Sequence, residues 1–349
     1  MTDPVSVLPV FFSLLLALVM LYFLTKLFGK GAVPVKFSAI DGLRGYLAFF
    51  VFLHHASIYF FALRSYAWQL PPSQLYTHFG HTSVCLFFMI TSFLFFTRLI
   101  DDHKKGIDWL KYFVSRILRL YPLLIIALAL SFLFAGILSH FRLQEPGFQL
   151  LNEIGHWLLF TVFAQPNINA VSDTPSFMLS VLWSIKYEWL FYLFLPFVAF
   201  VFFRSKVSFI TLFISLGIFS LIVYYSPPVA NNLFVFSGGI VAAFAARSSF
   251  FCKWASHWFS SLLIIACLAV TVIFFESARE VLPLILVAIS FTGIACGNSL
   301  FGILTYRLSR ELGQLAYGIY LLHGLFLYAL FHFVISDREL AVALSPIQF

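Results

Sequence analysis

Two ionisable side chains lie eleven residues apart inside one apolar stretch of this chain. They are Arg44 and His55, in the segment DGLRGYLAFFVFLHHASIYF. Eleven residues make about three turns of an α-helix, so both side chains project from one face, roughly 16 Å apart along the axis. His54 lies about 80° round from Arg44 and is the less well-placed partner. Ionisable groups are costly to hold in lipid, so this pattern predicts a functional site.

A carboxylate inside a second apolar stretch is the candidate partner of His55. Glu188 belongs to LWSIKYEWLFYLFLP, where Ser184, Glu188 and Tyr192 follow at four-residue intervals and share a helix face. Counted from the predicted outer ends of their helices, Glu188 and His55 lie at comparable depth. A carboxylate beside an imidazole fixes its tautomer, so the pair predicts a general base with an orienting group. A pair that only holds two helices together is the alternative.

An arginine pair marks the predicted cytoplasmic entry of another span. Arg116 and Arg119, in FVSRILRLYPLL, are neighbours on a helix surface. The fixed donor geometry of two guanidinium groups suits phosphate, although the ordinary positive charge that flanks a span explains them equally well. Arg44, which has Asp41 three residues before it, is open to the same two interpretations.

Histidines and tyrosines form a further group near the end of the chain. The segment QLAYGIYLLHGLF places Tyr317, Tyr320 and His323 on one helical track, with His323 near mid-membrane. A site residue and a buried histidine bonded to a neighbouring helix are equally good interpretations. His78 and His81 fall at a predicted outer helix end, where placement at the membrane interface explains them.

The composition defines the elements that must position these residues. The chain of 349 residues is 62% hydrophobic and 10% charged, with a mean hydropathy of +0.98, and long uncharged runs recur along its length. This predicts an all-α, polytopic transmembrane helical bundle of about ten spans, in place of a soluble protein or a β-barrel. The net charge of +7 does not indicate nucleic acid, because the basic residues sit in short groups between apolar runs. The four scattered cysteines suggest no metal site.

Basic residues between the predicted spans indicate which loops of the chain face the cytoplasm. The spans are residues 5–25, 39–62, 79–98, 119–138, 180–203, 208–225, 232–246, 259–275, 281–303 and 313–335. Sixteen of the 21 lysines and arginines then fall on one side and four on the other, which places the first side in the cytoplasm. Residues 156–165 are apolar but too short to span, so 139–179 is predicted to be external, with a re-entrant or interfacial piece.

These groups, in this order, resemble the acyltransferase 3 family of integral membrane acyltransferases. The family's opening Arg-x10-His motif is similar to FSAIDGLRGYLAFFVFLHHA, and LFFMITSFLFF resembles its second-helix signature. The arginine pair, a WSIxxE-type motif from Trp183 to Glu188 and a closing tyrosine-rich helix ending at His323 follow in order. One departure matters: Thr91-Ser92-Phe93 stands where Ser-Gly-Phe is usual, which puts a close helix contact in question.

The resemblance implies a domain organisation and an activity. Residues 1–36 would be an additional N-terminal span and cytoplasmic loop, 37–335 the membrane acyltransferase domain and 336–349 a short external tail. The expected activity is that of a multi-pass O-acyltransferase of the cytoplasmic (inner) membrane. It would move an acyl group, usually acetyl, from acetyl-CoA or another acyl-CoA to a hydroxyl of an extracytoplasmic saccharide or glycolipid. No bound cofactor or metal is expected.

The resemblance also assigns roles to residues. His55 is expected as the general base, or as the site of an acyl-histidine intermediate, with Glu188 orienting it and Arg44 contacting the donor or developing negative charge. The expected substrate-binding residues are Arg116, Arg119, Trp183, Ser184, Tyr320 and His323. A proton-coupled secondary transporter, or a carrier of acyl or saccharide groups, is the alternative. Such proteins usually have inverted repeats and broken helices, which are not evident here.

Overall fold

A computed structural model describes residues 5–28, 36–65, 68–102, 104–159, 165–178, 181–225 and 229–335. Within these ranges the chain forms twelve α-helices and no β-strand, which confirms the predicted all-α fold class. The predicted tail, residues 336–349, lies outside the described residues. The helices are α1 (Val7–Phe28), α2 (Ser38–Ser65), α3 (Gln74–Asp102), α4 (Trp109–Leu138), α5 (Gly147–Leu158), α6 (Trp183–Phe203), α7 (Phe209–Tyr225), α8 (Ala230–Ala245), α9 (Ser249–Ala255), α10 (Trp258–Phe274), α11 (Val281–Ala295) and α12 (Arg307–Ala329).

Six of the described helices are long and apolar enough to cross a membrane, namely α1, α2, α3, α4, α6 and α12. Helices α8 and α9 meet at a bend of 103° and make a seventh crossing if they count as one span. Helices α7, α10 and α11 are apolar but shorter. Every predicted span therefore overlaps an apolar helix, whereas the number of ten crossings stays a prediction.

Two predicted boundaries are wrong for local reasons. Helix α4 begins at Trp109, ten residues before the predicted span, because the side chain of Asp108 accepts a hydrogen bond from the backbone N–H of Lys111 and caps the helix. Helix α11 ends at Ala295 and not near residue 303. The chain leaves the helix through Gly297, whose φ of +111° favours glycine.

The chain divides into two compact units. The first comprises Met1–Leu94, Phe234–Tyr320 and Leu327–Phe349, and the second comprises Phe95–Leu233 and Leu321–Phe326. Arg44 and His55 therefore belong to the first unit. The arginine pair and Glu188 belong to the second.

In the first unit, α2 and α12 cross at very close distance because glycines face the crossing. A Cβ atom on Gly313 would overlap the backbone carbonyl of Asp41, and one on Gly45 would press against the backbone of Gly313. A hydrogen bond of 2.8 Å between the hydroxyls of Tyr46 and Ser309 joins the same two helices. This crossing fixes the half of α2 that carries Arg44.

The altered second-helix motif still makes a close contact in the first unit. Ser92 is fully buried on α3, and its hydroxyl donates to the carbonyl of Met89 at 3.1 Å. On α8, a Cβ atom at Gly239 would overlap both the carbonyl of Met89 and the hydroxyl of Ser92. The space that a glycine in the motif would provide is therefore supplied by Gly239 on the facing helix.

In the second unit, the segment between α4 and α6 is a folded structure held by one asparagine. Asn169 adopts a left-handed conformation (φ +52°), which asparagine tolerates better than most residues. Its amide group accepts from the N–H of Gln144 and donates to the carbonyl of Arg142, each at 2.8 Å. Its own N–H donates to the buried carboxylate of Glu153 at 2.9 Å. Helix α5, with twelve residues, is too short to span.

Candidate active site

His55 is half-buried on α2, and a backbone carbonyl of the same helix fixes its ring. Its Nδ1 atom lies 3.0 Å from the carbonyl oxygen of Val51. A carbonyl can only accept, so Nδ1 carries the proton. In the neutral ring the basic lone pair is then on Nε2. Helix periodicity carried no signal for this bond, which sets the tautomer through a backbone carbonyl.

His54 packs directly against His55. It is 6% exposed, its Nδ1 lies 2.8 Å from the carbonyl oxygen of Tyr76 on α3, and its ring meets that of His55 edge-on. Gly80 makes room for the imidazole, since a Cβ atom there would overlap the His54 ring. A histidine that sequence reasoning set aside is therefore a direct neighbour of the candidate base.

Arg44 occupies the position that helix periodicity predicts. Helix α2 is continuous from Ser38 to Ser65, so Arg44 and His55 lie on one helix with the expected spacing. The guanidinium of Arg44 is half-buried and lies 3.7 Å from the carboxylate of Asp41. Arg44 is therefore held by a charge partner one turn away.

Glu188 lies on α6 and accepts a hydrogen bond from the hydroxyl of Tyr192 at 2.8 Å. The predicted common face of Ser184, Glu188 and Tyr192 is on this continuous helix, and the hydroxyl of Ser184 donates to the carbonyl of Val181 at 3.2 Å. The ring of Tyr192 in turn contacts that of Tyr112 on α4. The equal depth of Glu188 and His55 stays a prediction.

The arginine pair does not stand at the entry of its helix. Because α4 begins at Trp109, Arg116 and Arg119 lie roughly 10 Å and 15 Å along it at 1.5 Å per residue. Their surroundings differ. Arg116 is half-buried, with its guanidinium 4.8 Å from the centre of the Phe95 ring and within 3.2 Å of the hydroxyl of Ser115, whereas Arg119 is exposed. The two guanidinium groups are therefore not equivalent.

The remaining predicted substrate residues are divided between the two units. Trp183 packs edge-on against Tyr187 in the second unit, where His323 is buried with 4% exposure. Tyr320 contacts Phe87 in the first unit.

His78 lies near the start of α3 and is buried among helices, and its placement at the membrane interface stays a prediction. Its side chain is 2% exposed, with Nδ1 2.9 Å from the hydroxyl of Thr82 and Nε2 2.6 Å from the carbonyl of Phe275 at the end of α10. His81 is half-buried, and its Nδ1 has no hydrogen-bond partner among the described residues. Only contacts between distant segments bury these side chains, so local sequence carried no signal for them.

No group of three or more His, Cys, Asp or Glu side chains in the described part of the chain could hold a metal ion. The candidate residues are histidine, arginine, carboxylate and tyrosine side chains on helices of the two units. These groups suit proton transfer and the binding of anions.

The comparison with protein families agrees with the motifs. The family model described as an acyltransferase domain, that of acyltransferase 3, matches residues 37–346. The chain therefore belongs to the acyltransferase 3 family and is a membrane acyltransferase. No curated protein and no solved structure matches it.

Proposed function

We propose that this protein transfers an acyl group, in the first instance acetyl, from acyl-CoA at the cytoplasmic side to a hydroxyl of an extracytoplasmic or lipid-linked saccharide. The membrane is proposed to be the cytoplasmic (inner) membrane. The observation that supports this most directly is the bond between His55 and the carbonyl of Val51, because it prepares Nε2 as a base. The family supports acyl transfer, and the donor and acceptor are part of the proposal.

In the proposed reaction, Nε2 of His55 removes the proton of the acceptor hydroxyl. The hydroxyl oxygen attacks the thioester carbon, an O–C bond forms, and the C–S bond breaks as the thiolate of CoA leaves. The protonated His55 then returns its proton to the thiolate, so free CoA and the ester are the products. In the second route, Nε2 attacks the thioester carbon, an N–C bond forms, and the C–S bond breaks as the thiolate of CoA leaves. The acceptor oxygen then attacks the acyl carbon, the N–C bond breaks, and the acceptor proton passes to the thiolate, so the products are again the ester and free CoA.

Two charged residues are proposed to assist His55. Glu188, bonded to Tyr192, stabilises the positive charge that the imidazole acquires and need not set its tautomer, which the Val51 carbonyl already fixes. Arg44 stabilises the negative charge that develops on the thioester oxygen or contacts the donor. Trp183, Ser184, Tyr320 and His323 are proposed as further substrate-binding residues.

The decisive experiment replaces His55 with asparagine. The amide nitrogen of asparagine can donate to the carbonyl of Val51 as Nδ1 does, but asparagine supplies no base. We expect His55→Asn to lower transfer from labelled acetyl-CoA by at least about a hundredfold, the scale of lost acid–base catalysis. His257→Asn, at an exposed position before α10, is the matched control. A folded His55→Asn protein with normal turnover would contradict the mechanism.

The donor site is tested separately with the arginine pair. Replacing Arg116 and Arg119 together with alanine should weaken acyl-CoA binding while the protein stays in the membrane at normal levels. Arg116→Ala alone should have the larger effect, because Arg116 is half-buried whereas Arg119 is exposed. Lysine should rescue only in part, since it lacks the bidentate fork of arginine. Unchanged CoA affinity in the double variant would leave these arginines with a topological role alone.

A further inference from the structure

Two buried hydrogen-bond donors near the start of α4 have no acceptor among the described residues. Tyr112 is 5% exposed and Trp109 is 6% exposed, yet neither the phenolic oxygen nor the indole N–H has a partner. The two rings meet edge-on with 5.5 Å between their centres. Buried polar groups are almost always hydrogen-bonded, so such a pair indicates a missing partner.

The surroundings of Tyr112 show which kind of partner is missing. Its hydroxyl lies within electrostatic reach of the guanidinium groups of Arg98, near the end of α3, and of Arg116. The ring of Phe95 contacts both Tyr112 and Arg116, which keeps the group together. Glu188 also lies within electrostatic reach of the Tyr112 hydroxyl, and its carboxylate accepts a hydrogen bond from Tyr192.

Arg98 is the solvent-exposed member of the group that it forms with Tyr112, Trp109 and Arg116. Its side chain is 57% exposed and pairs with Asp102 at 3.6 Å, a distance typical of a weak surface ion pair. Arg98 therefore presents an exposed guanidinium to an anion, within electrostatic reach of the buried hydroxyl of Tyr112. All of these residues belong to the second unit, and α3 and α4 are joined by a connection of only a few residues.

The donors in this group are a phenol, an indole N–H and two guanidinium groups. A phosphate offers several oxygens and negative charge, which match charge-assisted donors of this kind better than a single neutral acceptor does. We infer that Arg98, Tyr112 and Trp109 form, with Arg116, the binding site for a phosphate group of the acyl-CoA donor. This inference rests on the proposed function and extends its donor site from α4 to the end of α3.

The test compares the affinities of CoA and pantetheine, the part of CoA that lacks phosphate. Tyr112→Phe removes one hydroxyl and keeps the ring, and Trp109→Phe removes the indole N–H. Each should raise the dissociation constant of CoA about tenfold, as expected for a lost bond to a charged group. Arg98→Gln should do the same. The affinity for pantetheine should not change in any of them.

Two matched control variants separate a specific loss of CoA affinity from a general loss of folded structure. Tyr121→Phe removes a hydroxyl elsewhere on α4 that donates to the carbonyl of Leu158, and Lys206→Gln removes an exposed charge on the predicted cytoplasmic side. Both should bind CoA as the unmodified protein does. Wild-type CoA affinity in Tyr112→Phe and Arg98→Gln would overturn the inference.

Two further outcomes are informative. One distinguishes the phosphate of CoA from that of a lipid headgroup, and the other distinguishes failure of this inference from failure of the proposed donor site. We expect the variants to lose the same amount of CoA affinity whether they are measured in nanodiscs of neutral phospholipid or in nanodiscs of anionic phospholipid. If the variants instead lose only stabilisation by anionic lipid, the site binds a lipid headgroup and the CoA assignment is wrong. If the Arg116 and Arg119 double variant loses CoA affinity but Tyr112→Phe does not, the inference fails while the proposed donor site stands. If neither loses affinity, both fail.

Discussion

The imidazole rings of His54 and His55 pack edge-on, with 5.0 Å between their centres and 75° between their planes. Adjacent residues on a helix point in directions about 100° apart, so this contact needs both rings to turn toward each other. His54 is held in that orientation by the carbonyl of Tyr76, and Gly80 on α3 provides the space. The neighbouring helix thereby positions a side chain that contacts the proposed base.

We predict that Gly80→Ala displaces His54 and lowers turnover without changing the affinity for CoA. Overpacking of this kind costs about 1 to 3 kcal/mol of unfolding free energy, and the misplaced ring should reduce the rate by roughly tenfold. His54→Ala should also lower the turnover rate. Its effect should be smaller than that of His55→Asn. Turnover per folded molecule and thermal unfolding in detergent measure both effects. Gly217→Ala on α7, where nothing lies within 4 Å of the added atom, is the control.

We predict that Gly313→Ala is strongly destabilising. The added Cβ atom would overlap the backbone carbonyl of Asp41, and backbone cannot move aside as a side chain can. The loss should be at least about 3 kcal/mol, the upper end of the range for overpacking. Because Asp41 also pairs with Arg44, the folded remainder should lose activity as well. A Gly313→Ala protein with the unfolding temperature of the Gly217→Ala control would contradict the close crossing of α2 and α12.

The described part of the segment between α4 and α6, which is predicted to be external, should be more stable in acid than at neutral pH. The neighbouring carboxyl group of Glu153 raises the pKa of Glu145 above its usual value of 4.5. A raised pKa means that the folded state holds the proton more tightly. Its contribution to stability is complete below about pH 4.5 and is lost as the pH rises through the folded-state pKa.

Hydrogen exchange in residues 142–159 and 165–174 measures this dependence. Protection should fall between acidic and neutral pH in the unmodified protein. Glu145→Gln, which has no titratable group at this position, should flatten the dependence. Glu276→Gln, in the connection between α10 and α11, is the charge-matched control and should not. Equal protection at both pH values in the unmodified protein would contradict a raised pKa of Glu145 in the folded state.

The topology predicted from charge is tested by cysteine labelling. In a background without native cysteines, Cys at Lys104 or Lys206 should react only from the cytoplasmic side, and Cys at Arg142 only from outside. These three positions are exposed, so access to reagent is not limited by packing. External labelling of position 206 would mean that the segment after α5 crosses the membrane, which would remove the basis for placing Glu188 at the depth of His55.

Local periodicity was sufficient to predict the helical architecture. Apolar runs of sufficient length and uncharged composition specify membrane helices, because each turn satisfies its own backbone hydrogen bonds in lipid. The spacing of Arg44 and His55 depends only on helix geometry and was predictable for the same reason. The start of α4 was missed because its cap, Asp108, lies in a polar stretch that a search for apolar spans leaves out.

The sequence by itself determined the class of protein, the helices and the residue types of the site, since these follow from composition, period and the order of motifs. The tertiary structure decided which side chains are buried and what they touch. The orientation of His54 beside His55 depends on the carbonyl of Tyr76, and the bond of Asn169 depends on Glu153, each more than a dozen residues away in the chain. Such contacts arise when helices pack, and packing is a property of the assembled fold that no local pattern encodes.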